Sequence, residues 1–385
     1  LLSRTTVLAN SARDASGGCS SATNVSGNGG NINISTSSTT SFEVGTPTSN
    51  GVVGSITANG NVVGSGTPPD GPAAVPAPNA GTGGTITLTN SLSGGILIDA
   101  AGSLSVAAAN ASQNFPAGNG GTITLSAPTG PVLSMSALSV NGGAASNGTA
   151  VDAGVGGIIT ITSFSSNPFV IGALGGATNG VSTSISADGY SAGTISVANN
   201  GTGGIQVGTN TLSLLANSNA SVTNAAGNGG QLTLSAPLGP IAVTGNLDAS
   251  GASGSNFGGL AGSITITSNS STVLSVGSQP FGSTNFISGN LTANGGTGTA
   301  GNGAAGNIPV SNLGGGINVS NNAILATAPA ATLSGYAGAG GNLSLNAAGS
   351  VGIAGQLSAS GGATSTTSAN SAGFGGTITI IENDT

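Results

Sequence analysis

The chain repeats one short sequence pattern along its whole length. Two small residues, most often Gly-Gly, precede a run in which polar and aliphatic residues alternate, as in residues 83–88, Gly-Gly-Thr-Ile-Thr-Leu. The last glycine of the pattern recurs at Gly84, Gly121, Gly157, Gly193 and Gly230, which gives spacings of 37, 36, 36 and 37 residues. Because a fixed period of this length is typical of repeat architectures, the chain is predicted to form a single array over residues 1–385.

Each repeat contains three short strand patterns. The first is the alternating run itself, since a period of two is typical of a strand with one buried face. A second run follows a turn, as at Ile205-Gln206-Val207, and a third ends in small residues, as at residues 103–106, Ser-Leu-Ser-Val. The sequence therefore predicts an all-β fold, a parallel β-solenoid (β-helix) with about ten coils of ~36 residues and three short strands per coil.

The residue types of each coil sort by position. Ile, Leu and Val are expected to point inward and Thr, Ser and Asn outward, while parallel pairing between neighbouring coils satisfies the backbone. Glycine is expected at the corners because positive φ costs other residues energy. The solenoid is expected to be right-handed, as parallel crossovers are.

Three stretches depart from a full coil. Residues 1–30 are interpreted as a partial first coil with its loop, and residues 376–385 as a partial last coil. Residues 66–83 are rich in proline and glycine, and we interpret them as a loop excursion and not as a domain boundary.

The composition excludes several classes of protein. Glycine accounts for 72 of the 385 residues but follows no every-third rule, so the chain is not collagen-like. Charged residues make up 3% and hydrophobic residues 37%, which is not the low-hydrophobicity, high-charge signature of disorder. Two arginines against nine carboxylates cannot make the basic footprint of nucleic-acid binding. No run approaches the ~18 apolar residues of a membrane span, so no membrane insertion is expected.

No constellation for catalysis, a metal or a cofactor is found. The chain has no histidine, no lysine and a single cysteine, Cys19, so neither a Ser-His-Asp nor a Cys-His arrangement can form. The carboxylates are scattered without a pair of the kind that cleaves carbohydrate, and we interpret them as solvated surface charge. We therefore expect no enzyme and predict no catalytic, metal-binding or cofactor-binding residue.

The two ends of the chain are expected to complement each other. Residues 6–11 (Thr-Val-Leu-Ala-Asn-Ser) resemble the third-strand segment at 213–218 (Ser-Leu-Leu-Ala-Asn-Ser), whereas the last strand pattern is a first strand. The start thus supplies the late part of a coil and the end supplies the early part, without a polar cap at either place. The predicted subunit-contact residues are Thr6, Val7, Leu8, Ile378, Ile380 and Ile381.

Two explanations of these ends stay open. In the first, copies of the chain add head to tail, since open parallel edges template further pairing and a heterologous contact generates an open fibre. In the second, the chain is a window of a longer repeat protein.

Two surface features suggest further alternatives. Outward threonines in the first strand, such as Thr122 and Thr124, resemble the ladders of ice-binding solenoids, although half of the coils break the pattern. Aromatic residues precede several glycine corners, and we expect them to tuck loops against the core edge in preference to stacking on sugars. These aromatics are Phe115, Tyr190, Phe257, Tyr336 and Phe374.

The repeat pattern resembles that of filamentous-haemagglutinin-like exoproteins. Residues 230–241 (Gly-Gln-Leu-Thr-Leu-Ser-Ala-Pro-Leu-Gly-Pro-Ile) and 245–251 (Gly-Asn-Leu-Asp-Ala-Ser-Gly) show it best, and the similarity covers nearly all coils. The resemblance implies a bacterial β-solenoid that is secreted or held at the cell surface, where such proteins serve in adhesion or biofilm.

These features lead to one expectation about function. We expect a non-enzymatic structural subunit of a bacterial extracellular filament or matrix fibre, without a cofactor, whose partners are copies of itself. The alternative is a segment of a large secreted adhesin that binds surface glycans or host cells for attachment or biofilm. A solenoid that binds ice or carbohydrate is a lesser alternative.

Overall fold

The chain winds through three parallel sheets without a helix in its described part. The computed structural model describes residues 8–9, 13–14, 27–61, 80–110, 117–144, 153–173, 175–213, 215, 226–280, 282–320, 323–331, 335–364 and 371–383. The predicted contact residues Thr6 and Val7 lie outside this set. Within it, no helix is long and apolar enough to cross a membrane.

Sheet 1 holds the first strand of each coil. Its ten strands pair in parallel and in chain order, so that Ile123, for example, lies between Ile86 and Ile159. The strands are β3 (Asn31–Thr36), β7 (Thr85–Asn90), β10 (Thr122–Ser126), β13 (Ile158–Ser163), β17 (Thr194–Asn199), β20 (Gln231–Ala236), β23 (Ser263–Ser268), β27 (Asn307–Asn312), β30 (Asn342–Ala347) and β33 (Thr377–Glu382).

Sheet 2 holds the second strands and is longer, with thirteen strands. They are β1 (Leu8–Ala9), β4 (Phe42–Gly45), β5 (Gly51–Val53), β8 (Ile96–Ile98), β11 (Val132–Ser134), β14 (Phe169–Ile171), β15 (Gly180–Val181), β18 (Ile205–Val207), β21 (Ile241–Val243), β24 (Leu274–Val276), β25 (Phe286–Ile287), β28 (Ile317–Val319) and β31 (Val351–Ile353).

Sheet 3 holds the third strands and is split into groups of three, three and four. The first group is β2 (Arg13–Asp14), β6 (Ile56–Thr57) and β9 (Leu104–Ser105); the second is β12 (Leu138–Ser139), β16 (Ile185–Ser186) and β19 (Leu212–Ser213); the third is β22 (Leu247–Asp248), β26 (Leu291–Thr292), β29 (Ala323–Leu325) and β32 (Gln356–Ser358).

We number the coils by their first strand. Coil 1 begins with β3 and coil 9 with β30, β33 is the first strand of coil 10, and β1 and β2 belong to a coil 0 that precedes coil 1. The core lies inside these turns, where aliphatic side chains such as Ile86, Leu88, Ile159 and Ile161 are fully buried. The predicted parallel β-solenoid is therefore confirmed.

The glycines in front of the first strands have a different role from the predicted one. Positive φ occurs at other glycines, such as Gly95 and Gly204, and not at Gly157, Gly193 or Gly306. A Cβ added at these positions would lie well inside 3.0 Å of the carbonyl oxygen of the equivalent glycine one coil earlier. Glycine is required there because neighbouring backbones approach too closely for any side chain.

The N-terminal segment also differs from the prediction. Residues 6–11 resemble a third strand in sequence, but Leu8 pairs with Gly51 in sheet 2, and Arg13 pairs with Ile56 in sheet 3. The register of Leu8 on Gly51 is that of Leu133 on Gly180. The segment is therefore placed as a second strand followed by a third strand, still the late part of a coil.

Among the described residues, three coils contain a doubled second strand, which the 36-residue repeat does not predict. In coils 1, 4 and 7 the chain leaves sheet 2 after β4, β14 or β24, loops outward, and returns as a parallel neighbour of the same strand. The returning strands β5, β15 and β25 each lie between the second strand of their own coil and the second strand of the preceding coil. We call these three the doubled coils.

The doubled coils belong to a cycle of three coils. We call the last residue of each first strand the closing residue; in coil 3 it is Ala127, which directly follows β10. The closing residue is Ser or Thr in a doubled coil, Asn in the next coil and Ala in the third. We call the other two the asparagine coil and the alanine coil. The closing residues are Thr36, Ser163 and Ser268; Asn90, Asn199 and Asn312; and Ala127, Ala236 and Ala347.

Candidate assembly site at the ends of the solenoid

The strand at the C-terminal end of the solenoid has one edge without a described partner. Strand β33 pairs with β30, and no other described strand pairs with it, whereas sheets 2 and 3 end one coil earlier at β31 and β32. One strand of sheet 1 therefore projects beyond the rest of the body.

The projecting strand exposes side chains of the core type. Ile378 and Ile380 continue the inward rows of Leu343 and Leu345, which are 1% and 0% exposed. Without a following coil, Ile378 is 44% and Ile380 45% exposed. Ile381 is also exposed, but it continues the outward row of Asn346. Two of the three predicted C-terminal contact residues thus lie on the open face of the core.

The N-terminal end has the opposite step. Sheet 1 begins with β3 of coil 1, whereas sheets 2 and 3 begin one strand earlier with β1 and β2. On β3, the inward residues Ile32 and Ile34 are only partly buried. The predicted contact residue Leu8 lies in β1, so it is part of the projecting step.

The two steps add up to one coil. The C-terminal end supplies a first strand, and the N-terminal end supplies a second and a third strand. The charges also differ between the ends, because both cations of the chain, Arg4 and Arg13, lie in its first fourteen residues, whereas Glu382 and Asp384 lie in its last four.

Strand β33 is fixed to coil 9 by polar side chains at its end. The backbone N–H of Val351 donates a hydrogen bond of 2.7 Å to Glu382 Oε1. Asn383 donates from its backbone N–H to the carbonyl of Ala347 at 3.0 Å and from Nδ2 to Asn346 Oδ1 at 3.0 Å. Glu382 was not among the predicted contact residues. The signal that could have identified it is its position: it follows Ala347 in the row of closing residues, where the three-coil cycle would place Ser or Thr.

One buried side chain near the N-terminal end lacks a partner. Asn50, in front of β5, is 5% exposed, and neither its Oδ1 nor its Nδ2 has a hydrogen-bond partner among the described residues. The equivalent Asn179 accepts a hydrogen bond from the backbone N–H of Val132 in the preceding alanine coil.

The described carboxylates cap backbone groups and are not simply solvated, as the sequence suggested. Asp188 Oδ1 accepts bonds of 2.7 Å from Ser213 Oγ and from the N–H of Leu215, one coil along. Asp248 Oδ1 accepts from the N–H of Ser250 at 2.9 Å. These carboxylates stabilise corners, because a charged acceptor strengthens a hydrogen bond to a backbone N–H.

Two carboxylates approach one loop, which the sequence did not predict. Glu43 Oε2 accepts from the N–H of Thr48 at 3.0 Å, and Asp99 Oδ2, one coil along, accepts from the N–H of Thr46 at 2.7 Å and from its hydroxyl. Burial acts to raise the pKa of Asp99, but the bonds from Thr46, Ala101 and Gly102 outweigh it and lower that pKa. Asp99 is therefore held as an anion that fastens the loop of the first doubled coil.

Three of the loop aromatics are exposed, contrary to the expectation that they tuck against the core. Phe257 is 48%, Tyr336 64% and Phe374 85% exposed. The backbones at Phe257 and Tyr336 bridge to Gly301 from opposite sides, so these two residues belong to coils 6 and 8 and lie two coils apart, with Gly301 of coil 7 between them. Phe115 lies outside the described residues.

The surface has shallow neutral grooves. One, of about 420 Å³, lies on sheet 2 between two doubled coils and is lined by uncharged residues that include Gln206, Thr244 and Ser283. Another, of about 270 Å³, lies at the split between β9 and β12 of sheet 3. The described residues contain no cluster of three or more potential metal ligands.

Comparisons with protein-family models, with curated proteins and with solved structures found no match to this chain.

Proposed function

We propose that the chain is a non-enzymatic structural subunit of a bacterial extracellular filament or matrix fibre. Copies join head to tail: β33 of one copy and β1 and β2 of the next form one shared coil. The observation that carries this proposal is the complementary step of the two ends, one strand at one end and two strands at the other.

The energetic argument for joining comes from the exposed core edge. A shared coil covers Ile378 and Ile380, and burying the half-exposed part of such side chains contributes roughly 1 kcal/mol each. Parallel pairing of β33 with β3 of the next copy also satisfies open backbone groups. Few charges oppose edge-to-edge contact, since only 3% of the residues are charged.

The proposed extracellular location and the link to filamentous-haemagglutinin-like proteins rest on the repeat pattern and the solenoid fold. Adhesion is the second candidate function, and the exposed rings of Phe257 and Tyr336 favour it, because aromatic faces at a surface offer stacking platforms to sugars. In that case a further coil of a longer chain would cover β33.

Paired cysteines test the head-to-tail contact and its register. The row that joins Asn33, Thr87 and their equivalents to Ser344 and Thr379 runs along sheet 1. In a joined pair, Thr379 of one copy therefore faces Asn33 of the next at about 4.8 Å between Cα atoms, within the range for a disulfide. We expect C19S/N33C/T379C chains to give a ladder of multiples of 35.3 kDa under oxidising conditions.

The matched control moves one cysteine by two residues. Ser35 points to the same face as Asn33, but it lies about 8 Å from Thr379 in the same arrangement, beyond disulfide reach. C19S/S35C/T379C chains should therefore form no disulfide ladder and run at the mass of one chain on a denaturing, non-reducing gel. Equal ladders in both variants, or no ladder in either at high protein concentration, would contradict the proposed contact.

A further inference from the structure

The asparagine in front of the returning strands β15 and β25 bonds the coil that precedes it. Asn179 Oδ1 accepts from the backbone N–H of Val132 at 3.1 Å and from Ser163 Oγ at 2.7 Å. Asn285 Oδ1 accepts from the N–H of Ile241 at 3.0 Å and from Ser268 Oγ at 3.2 Å. In alanine coils 3 and 6, the first N–H of the second strand thus donates to the asparagine of a Ser-Asn pair in the following doubled coil.

The last alanine coil is bonded differently. The equivalent donor in coil 9 is the N–H of Val351, and its acceptor is Glu382 Oε1 at 2.7 Å. The register places Glu382 beside Ala347, the position that Ser268 holds beside Ala236. The carboxylate of Glu382 therefore replaces both the serine and the asparagine as the acceptor for the N–H of Val351. Coil 10, to which β33 belongs, then needs no returning strand to supply an asparagine.

A doubled coil would be a poor neighbour for this end. Its asparagine would bring a second oxygen to the N–H of Val351, where the carboxylate of Glu382 already accepts. Two acceptors that face one donor repel each other and leave one of them without a hydrogen bond, which is costly when the group is buried.

The N-terminal coil of the chain has the shape that this end requires. Among the described residues of coil 0, β1 is the one second strand, in the register of an alanine coil, and β2 follows it after three residues. In sequence, residues 7–12 (Val-Leu-Ala-Asn-Ser-Ala) resemble residues 132–137 (Val-Leu-Ser-Met-Ser-Ala), which belong to the undoubled coil 3. Both cations of the chain lie in this region, at the opposite end from Glu382.

We propose that Glu382 makes the C-terminal end specific for a coil with a single second strand, and that this coil is coil 0 of a second copy. The inference rests on the proposed head-to-tail assembly and adds to it the residue that selects the partner coil. It predicts that replacing the carboxylate of residue 382 with a hydroxyl changes which type of N-terminal coil can dock.

The test combines two acceptor chains with two donor chains. The acceptors carry C19S/T379C with either Glu382 or E382S. The E382S substitution introduces the closing serine that a doubled coil has at this position. The donors carry C19S/N33C with either the natural coil 0 or a copy of residues 172–181 inserted after Ala9, which gives coil 0 a returning strand with its asparagine. The yield of disulfide-linked heterodimer is measured for all four pairs, together with the circular dichroism of each chain.

We expect the matched pairs to join and the mismatched pairs to fail. Glu382 with the natural donor and E382S with the extended donor should cross-link, and each mismatched pair should cross-link about tenfold less, the effect of one lost charge-assisted or buried hydrogen bond. Cross-linking of the extended donor to both acceptors alike would overturn the inference. So would a loss with E382S for both donors, since that pattern indicates only a frayed β33.

The outcomes separate this inference from the proposed function. Cross-linking in which the natural donor joins both acceptors equally contradicts the role of Glu382 and leaves head-to-tail assembly intact. Failure of the natural pair, Glu382 with the unmodified coil 0, contradicts the assembly itself and the inference with it.

Discussion

At the scale of single residues, buried asparagines fasten each asparagine coil to the doubled coil before it. Asn199 Oδ1 accepts from the N–H groups of Ser165 at 3.0 Å and Gly201 at 3.3 Å, and its Nδ2 donates to the carbonyls of Gly204 at 2.8 Å and Asn167 at 3.2 Å. Asn90 and Asn312 repeat the arrangement in the other two asparagine coils. One amide thus bonds the corner of its own coil and the corner of its neighbour.

Replacing this amide should be costly. We expect N199A to lower the free energy of unfolding by about 2 kcal/mol, because it leaves buried N–H and C=O groups without partners. Asn307 is an exposed asparagine on the outer face of sheet 1 and provides the control. Urea unfolding should find N307A within about 0.5 kcal/mol of the natural chain, and equal losses for the two variants would contradict this role of Asn199.

The close approach of glycine backbones gives a second prediction at this scale. A Cβ at residue 193 would run into the carbonyl of Gly157 and the backbone of Gly156, whereas one at residue 375 would meet no atom within 4 Å. We expect G193A to lower the free energy of unfolding by about 3 kcal/mol, since the strands would have to move apart. Thermal unfolding of G193A beside G375A checks this, and a neutral G193A would refute the steric explanation.

The inward and outward residues could be predicted from the sequence, but the roles of glycine and asparagine could not. Alternation alone fixes which side of a strand is buried, so Ile123 and Ile159 are in the core as predicted. Glycine is equally common where φ is positive and where space is short, and the sequence does not distinguish the two. The buried Asn199 lies in a chain rich in exposed asparagine, and only the three-coil cycle of Ser or Thr, Asn and Ala distinguishes it.

At the scale of elements, the loop of the first doubled coil depends on an ionised carboxylate. The bonds from Thr46 and Ala101 lower the pKa of Asp99 below its ordinary value of 3.8. Because the folded-state pKa is the lower one, the stabilising contribution is present above pH 3.8 and is lost as the pH falls through the folded-state pKa. We expect the natural chain to lose more stability than D99N below about pH 4.

Urea unfolding of the two proteins at a series of pH values between about 6 and 2 measures this difference. The two curves should converge at the acid end of the series. Parallel curves over the whole range would show that Asp99 contributes nothing that depends on its ionisation.

The three-coil cycle predicts which deletions the solenoid tolerates. Removing residues 157–261, coils 4 to 6, places alanine coil 3 against doubled coil 7, a junction in which Asn285 can bond the N–H of Val132 as Asn179 does. Removing residues 194–230, coil 5 alone, places a doubled coil against an alanine coil and deletes Asn199. We expect the larger deletion to lower the midpoint of urea unfolding less than the smaller deletion does.

Circular dichroism and urea unfolding compare the two deletions. The longer deletion should keep a cooperative transition, and the shorter should lower the midpoint, since the corner at Ser165 loses its bond to Asn199. A shorter deletion that is as stable as the longer one would contradict the three-coil unit. The sequence repeat of ~36 residues concealed this unit, because the returning strands fall in loops of variable length.

At the scale of the whole molecule, the solenoid has two unlike ends: β33 of sheet 1 projects at one, and β1 and β2 of sheets 2 and 3 project at the other. The proposed head-to-tail contact would join these strands in one coil. Sequence similarity placed Leu8 and Ala9 in the wrong sheet, because second and third strands share the same short run of aliphatic and small residues. Pairing with the neighbouring coil distinguishes a second strand from a third strand.

Electron microscopy of the purified chain in negative stain distinguishes head-to-tail fibres from isolated solenoids. A joined filament contains ten first strands per copy, from nine full coils and the shared one, so head-to-tail assembly predicts fibres with an axial repeat of about 48 Å. Isolated short rods of one chain length at every protein concentration would contradict head-to-tail assembly.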